Sequence, residues 1–296
     1  RKAFGAPIAT FGAIQHKIAE MAIRIFATES MTWRVVGLIE SQLSSGAHAA
    51  SDSAKAELKA VEEYAAECSM VKVFAAEMLD FVADEGVQIH GGYGFHKDYA
   101  VERAYRDARI NRLFEGTSEI NRLVISGMPL KRAARGLLPL LDAAEEQVRA
   151  AGRPDHGSQG DAETLLVRNA KKIALLMLGI AHRKYGADLE KQQEVVMALS
   201  DLFMETFAME STLLRCRKLA AAGKTGAADI CAVFVRDALV RMEATSRNLL
   251  GACSEGNDLR QYTNTLRTYT GCDPINAIAL RRKIADTLLN NERYSF

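Results

Sequence analysis

Apolar residues recur every three or four positions along most of this chain, the spacing of one face of an α-helix. Pro7 suits a first-turn helix position, and after it Ile14, Ile18, Met21, Ala22, Ile25, Met31, Val35 and Leu38 form such a stripe. Ser44, Ser45 and Gly46 end it, and the polar run from Gly46 to Ser53 predicts a loop. A second stripe (Val61, Tyr64, Ala65, Cys68, Val71, Phe74, Ala75, Met78, Val82) predicts one long helix from about Ala54 to Ile89, stopped by Gly91 and Gly92. Shorter helices are predicted over 101–113 and 118–132. No segment sustains an alternation of period two, so no sheet is expected.

Residues 136–141 read as a bridge, and 152–160 as a linker of turn formers and small polar residues. Further helical patterns cover 161–184, 187–222, 226–250, 257–268 and 274–291, punctuated by glycines. The pattern predicts an all-α chain in three parts. A helical domain built on a four-helix bundle spans 1–135, a linker spans 136–160, and an additional helical bundle domain spans 161–296. The 296 residues suffice for one or two such cores.

Composition narrows the functional classes. A formal charge of +1 gives no global field toward nucleic acid or membrane, and 48% hydrophobic with 25% charged residues is ordinary for a soluble globular protein. The five cysteines (Cys68, Cys216, Cys231, Cys253 and Cys272) are odd in number and widely spaced. That pattern argues against a disulfide framework or a zinc site and fits a reducing compartment. No apolar run reaches the roughly 18 residues of a membrane span. His90 and His96 flank a glycine turn without a carboxylate or cysteine set, so no metal site is expected. Arg103, Arg106, Asp107, Arg109 and Arg112 mix signs as a salt-bridged helix edge does, rather than a nucleic-acid surface.

The candidate chemistry lies between residues 88 and 120. Gly91, Gly92 and Gly94 let backbone approach a flat ligand or take positive φ. This turn follows a helix rather than a strand, so it is not a dinucleotide-binding fingerprint of the strand-turn-helix kind. Glu115 stands beside Gly116, just before a helix that Thr117 or Ser118 can cap. An acid on such a turn is placed for proton transfer; its local alternative is to stabilise the helix start through the dipole. The two motifs are expected to lie close in space.

These residues resemble the signature of the acyl-CoA dehydrogenase C-terminal domain. They are Gln88-Ile89-x-Gly91-Gly92-x-Gly94-Phe95, Arg106-Asp107-x-x-Ile110 and Glu115-Gly116-Thr117, joined by the opening Arg1-Lys2-Ala3-Phe4-Gly5-x-Pro7-Ile8 and by Gln15-x-x-Ile18-Ala19-Glu20-Met21-Ala22. The resemblance is sharp over 1–132. Residues 133–296 more diffusely resemble the helical extension of the long forms, the very-long-chain type and its bacterial relatives.

The resemblance implies FAD-dependent α,β-dehydrogenation of fatty acyl-CoA thioesters in β-oxidation. It implies Glu115 as the base that takes the proton beside the thioester carbonyl, in the straight-chain arrangement, since the isovaleryl type has glycine there; Glu119 is not the base. Arg1 corresponds to an arginine that reaches the FAD pyrophosphate of a neighbouring subunit, and Phe4 to a residue near the adenine. Gln88, Gly91 and Gly92 correspond to contacts along the nucleotide half, and Thr117 to a hydroxyl near the flavin or its phosphates. Ala3 stands where threonine or glutamine is often found, which removes one polar contact.

The implied partners are an acyl-CoA, further copies in a dimer or tetramer, and an electron-transfer flavoprotein as acceptor, with no nucleic acid. In the very-long-chain type the extension helps attach the enzyme to a membrane. Peripheral membrane contact is therefore carried as an alternative to packing over the dimer contact or replacing a second dimer interface. The implied location is the cytoplasm of a bacterium or the mitochondrial matrix of a eukaryote. The chain opens inside a motif and reads as the C-terminal part of a longer protein, inactive alone. Two other readings stand beside this one, a non-catalytic helical scaffold with the same fold and an acyl-CoA oxidase.

Overall fold

The computed structural model describes residues 1–44, 53–153 and 160–296. The polar loop expected from Gly46 and most of the linker expected over 152–160 lie outside the described residues. Among the described residues eleven α-helices carry the fold, as the all-α expectation requires: α1 (Gly12–Ser44), α2 (Ser53–Glu63), α3 (Ala65–His90), α4 (Ala100–Arg109), α5 (Ser118–Ala134), α6 (Leu140–Ala150), α7 (Ala162–Tyr185), α8 (Gln193–Ala221), α9 (Ala228–Cys253), α10 (Gly256–Thr270) and α11 (Ala277–Asn291).

Local structure departs from the sequence reading in four places. Pro7 does not open the first helix. It sits in β2 (Ala6–Pro7), paired antiparallel with β1 (Lys2–Ala3), so a small two-stranded sheet exists where none was expected. Strands of two residues are too short to carry an alternation. A 3-10 turn over Ile8–Thr10 then leads into α1. The helix expected over 54–89 is broken at Tyr64, whose φ of −103° and ψ of 23° separate α2 from α3. The helix expected over 101–113 is α4 followed by a 3-10 turn at Ile110–Arg112. Finally, the span read as bridge and linker holds α6, with Ala144 and Val148 buried.

The packing follows from the apolar stripes. Ala19, Ala22, Ile23, Phe26, Ala27, Ser30 and Met31 bury one face of α1 at helical spacing; of the stripe expected from the sequence only Ala22, Met31 and Val35 are buried, and Ile14, Ile18, Met21, Ile25 and Leu38 are half-buried. Helix α7 is buried nearly all round, the mark of a central helix, and packs against α6, α8, α9 and α10. Gly179 permits its approach to α6: a Cβ there would lie 2.5 Å from Val148 Cγ2 and 2.7 Å from the Ala144 carbonyl oxygen. One hydrophobic core runs through both halves, joining Phe26, Met31 and Ile125 to Ile173, Leu202 and Met209. Each fully buried side chain of this size stabilises the fold by about 1.5–3 kcal/mol. Helix α11 returns to α1, where Arg281 Nε reaches Glu20 at 2.6 Å and Gln15 Nε2 donates to Asp286 at 2.9 Å.

Candidate functional site

The sequence-predicted site residues fall into two groups, one at the end of α3 and one at the start of α5. At the first, Gly91 caps α3 with φ 63°, a conformation that disfavours a side chain. The 3-10 turn Gly91–Phe95 then folds back on the helix. Gly94 is buried in that fold, and a Cβ there would lie 2.5 Å from the Val87 carbonyl oxygen.

The opening hairpin docks on this turn. Arg1 Nη1 donates to the His90 carbonyl oxygen at 3.2 Å, and its guanidinium carbon lies 5.3 Å from the centre of the Tyr93 ring. Phe4 stands at the hairpin tip with φ 55° and is 97% exposed, its ring meeting Phe11 edge-on. Gln88 and Gly92 are exposed, and nothing lies within 4 Å of a Cβ built on Gly92. A guanidinium, an amide, an exposed aromatic ring and bare glycine backbone together suit a dinucleotide: paired hydrogen bonds for phosphate and flat surfaces for a heterocycle. These residues fit FAD. Among the described residues, no group of three or more His, Cys, Asp or Glu side chains could hold a metal ion.

At the second group Glu115 and Gly116 are consecutive left-handed residues, φ 54° and 85°. For a glutamate that conformation costs on the order of 1–3 kcal/mol and persists only where its surroundings over-determine it. Lys72 Nζ, from α3, donates to the Gly116 carbonyl oxygen at 2.6 Å, and Asn121 Nδ2 donates to the same oxygen at 2.9 Å. Of the two caps expected for α5, Thr117 is the one used: its Oγ1 accepts from the Ile120 N–H at 3.3 Å. The Glu115 side chain is exposed, as are Ile110, Leu113, Phe114 and Ile120 in the same stretch of chain. Glu119 is held below the ordinary carboxylate range, first by its own backbone N–H and then by the Thr117 hydroxyl, which makes it a weaker base.

The two groups are not neighbours, against the expectation from the short sequence interval between them. Lys72 holds the Glu115 turn beside the first part of α3, whereas Gly91 ends that helix. The nineteen steps from Lys72 to Gly91 rise about 28 Å along the helix. Chain reversal through α4 carries the second motif away from the first.

Sequence reasoning missed three residues that hold this site: Lys72, Asn121 and Arg122. Arg122 Nη1 and Nη2 donate to Glu77 at 2.7 and 3.0 Å, and its Nε donates to Asp201 of α8 at 2.7 Å. Burial opposes the charge on Arg122, but Glu77 and Asp201 outweigh it and hold its pKa above the ordinary value. Burial pushes Asp201 up despite that arginine. Position could have found Asn121 and Arg122, which sit in the first turns after Thr117. Lys72, 44 residues before Gly116, carries no local signal. Arg122, Glu77 and Asp201 line a cavity of about 280 Å³ where α1, α3, α5, α8 and α9 meet. A cleft of about 750 Å³ lies between α3, the glycine turn and α4, walled by Phe81, Phe95 and Tyr105 with Lys97, Arg109 and Arg112. Arg112 pairs with Asp80 and Arg106 with Glu102, both at 3.0 Å, along its edge. Among the described residues no helix is long and apolar enough to cross a membrane.

Residues 1–128 and 169–268 each match a family model described as acyl-CoA dehydrogenase, C-terminal domain. The whole chain is 42% identical to a Bacillus subtilis protein named "Probable acyl-CoA dehydrogenase", of which it covers 51%. It superposes with a TM-score of 0.95 and 42% identity on a Bacillus anthracis acyl-CoA dehydrogenase complexed with FAD, all of this chain matching 52% of that one. Over 45% of the chain it is 37% identical to the caffeyl-CoA reductase–Etf complex subunit CarC of Acetobacterium woodii, of which it covers 30%. The chain thus spans about half the length, or less, of the relatives it matches.

Proposed function

The chain belongs to the acyl-CoA dehydrogenase family, and on that premise we propose that it forms the C-terminal part of an FAD-dependent enzyme dehydrogenating fatty acyl-CoA thioesters between the α and β carbons. The carrying observation is Glu115, an exposed glutamate at positive φ whose following residue, Gly116, is held through its carbonyl by donors from two helices. Its carboxylate takes the proton from the carbon beside the thioester carbonyl. Covering Ile110, Leu113, Phe114 and Ile120 with the acyl chain and the rest of the enzyme excludes water, and a desolvated carboxylate is the stronger base. Bound FAD supplies the hydride acceptor. Thr117 sets the start of α5 and keeps the turn in register.

Arg1 would hold the pyrophosphate, Phe4 the adenine side, and Gln88, Gly91 and Gly92 the nucleotide half. The roughly 28 Å of α3 between this set and the Glu115 turn supports a site shared between copies. The glycine turn and hairpin of one copy then complete the site whose base belongs to another, in a dimer or tetramer. An electron-transfer flavoprotein is the proposed acceptor, a reading supported by the name of the Acetobacterium woodii relative.

The test is Glu115→Gln in the full-length enzyme. FAD absorbance should stay and reduction by a saturated straight-chain acyl-CoA should nearly cease. Reduction within about tenfold of wild type would remove Glu115 from the role, since loss of a general base costs roughly a hundredfold or more.

A further inference from the structure

We propose that Lys72 is a positioning residue for the reaction, the side chain that sets the Glu115 turn against α3; the inference rests on Glu115 being the base. Local sequence gives the turn no reason to keep its shape, because Glu115 at φ 54° occupies a region that side chains avoid. Something outside the turn must hold it. Two donors converge on the carbonyl oxygen of Gly116, and they differ in kind. Asn121 belongs to α5, donates also to the Thr117 carbonyl oxygen at 3.1 Å, and moves with its own helix. Lys72 comes from α3 and ties the turn to a second element at 2.6 Å.

The choice of lysine has a physical reason. A charged donor strengthens a hydrogen bond to a neutral carbonyl, and a long flexible stem reaches across the gap between two helices. Among the described residues the Lys72 ammonium makes no ion pair, so the Gly116 carbonyl is its partner. The same helix ends in the Gly91 turn. Lys72 therefore fixes the base and the nucleotide-facing turn to one rigid rod, and their separation is set by the number of residues between them.

The role has a kinetic signature. A displacement of the carboxylate alters the approach to the α carbon without altering contacts to the CoA or the flavin. Lys72→Met in the full-length holoenzyme should retain FAD and thermal midpoint, leave KM for a saturated straight-chain acyl-CoA within about twofold, and lower the rate of flavin reduction at saturation by roughly ten- to a hundredfold, the scale of a misplacement of about 1 Å. Lys72→Arg, which keeps a charged donor of similar reach, should recover most of that rate. The inference is overturned if Lys72→Met reduces flavin at the wild-type rate, if the rate falls only as much as FAD content or folded fraction falls, or if Lys72→Arg is as slow as Lys72→Met. Glu115→Gln in the same assay separates the two levels. An inactive Glu115→Gln beside an unaffected Lys72→Met sinks the positioning role alone, whereas an active Glu115→Gln sinks both.

Discussion

The guanidinium of Arg1 and the carbonyl oxygen of His90, 89 residues apart in sequence, meet in a 3.2 Å hydrogen bond. The bond joins the hairpin to the end of α3, so the arginine proposed to hold phosphate and the bare glycine backbone stand already assembled side by side. Such preorganisation lowers the ordering cost of binding.

Arg1→Ala in the full-length enzyme should therefore release FAD more readily while the helices stay folded, because Arg1 precedes α1 and lies outside the core. Loss of a charged hydrogen bond to phosphate costs about 1.5–3 kcal/mol. Titration of the apoprotein with FAD measures it. Mixed oligomers pairing this variant with Glu115→Gln should regain a minority of active sites if the site is shared, and none if each copy binds alone.

Gly179→Ala should destabilise the chain despite improving helix propensity. The added Cβ meets the Ala144 carbonyl oxygen at 2.7 Å, and backbone cannot rotate aside as a side chain can. Overpacking of this kind costs about 1–3 kcal/mol, against a propensity gain of at most about 1 kcal/mol. Urea denaturation should show the midpoint falling with the slope unchanged.

Arg122→Met leaves Glu77 and Asp201 facing one another without their cation. Removing one partner of a buried pair costs about 3–5 kcal/mol, and the partial exposure of both acids here discounts that to about 1–3 kcal/mol. Burial already raises the Asp201 pKa, and a carboxyl whose folded-state pKa lies above its unfolded value opposes folding once ionised. The variant should thus regain stability relative to wild type as pH falls from neutrality through the raised pKa. Thermal midpoints across that range test the sign, and Asp201→Asn added to Arg122→Met should restore part of the loss at neutral pH.

Asp161 caps α7, accepting from the Thr164 N–H at 2.9 Å, and pairs with Arg217 at 2.8 Å. The Thr164 hydroxyl and N–H, with Arg217, bring its pKa down to about 2. A depressed carboxylate contributes stability that is full above its unfolded pKa of about 4 and fades as pH falls toward 2. Asp161→Ala should cost about 1 kcal/mol at pH 7, the usual worth of a cap, and close to nothing near pH 2. A constant difference between wild type and variant over that window would show that the carboxylate charge plays no part.

The legible part of the fold was the part written in short-range periodicity. α1, α7, α8, α9 and α11 lie close to their apolar stripes, because a helix buries residues three and four apart whatever its neighbours. Gly91 stopped α3 through its own φ, a property of one residue. α6 lies between the turn signals of Gly136 and Gly152, and only Leu140, Ala144 and Val148, repeating every four residues, mark it as a helix. The hairpin and the Tyr64 break have no such period. The chemistry divides in the same way. Glu115 and the glycine turn sit in recognisable local strings, whereas Lys72, which holds the Glu115 turn, and Arg122, which ties α5 to α3 and α8, act through partners 44 to 79 positions distant. Their importance is a property of folded helices side by side. That is also why nearness in sequence misled about nearness in space for Glu115 and Gly91.

The closure of α11 on α1 has a consequence for biosynthesis. Glu20 waits for Arg281, 261 residues later, and the Gln15–Asp286 bond spans a still longer stretch. A nascent chain leaving the ribosome carries α1 with one flank bare until α11 has been translated. Contacts of such long range close slowly, and exposed apolar surface in the interval invites aggregation. A stop codon between α10 and α11 should therefore yield inclusion bodies or chaperone-bound chains rather than a shorter soluble protein, even though every residue of the proposed site would already have been made.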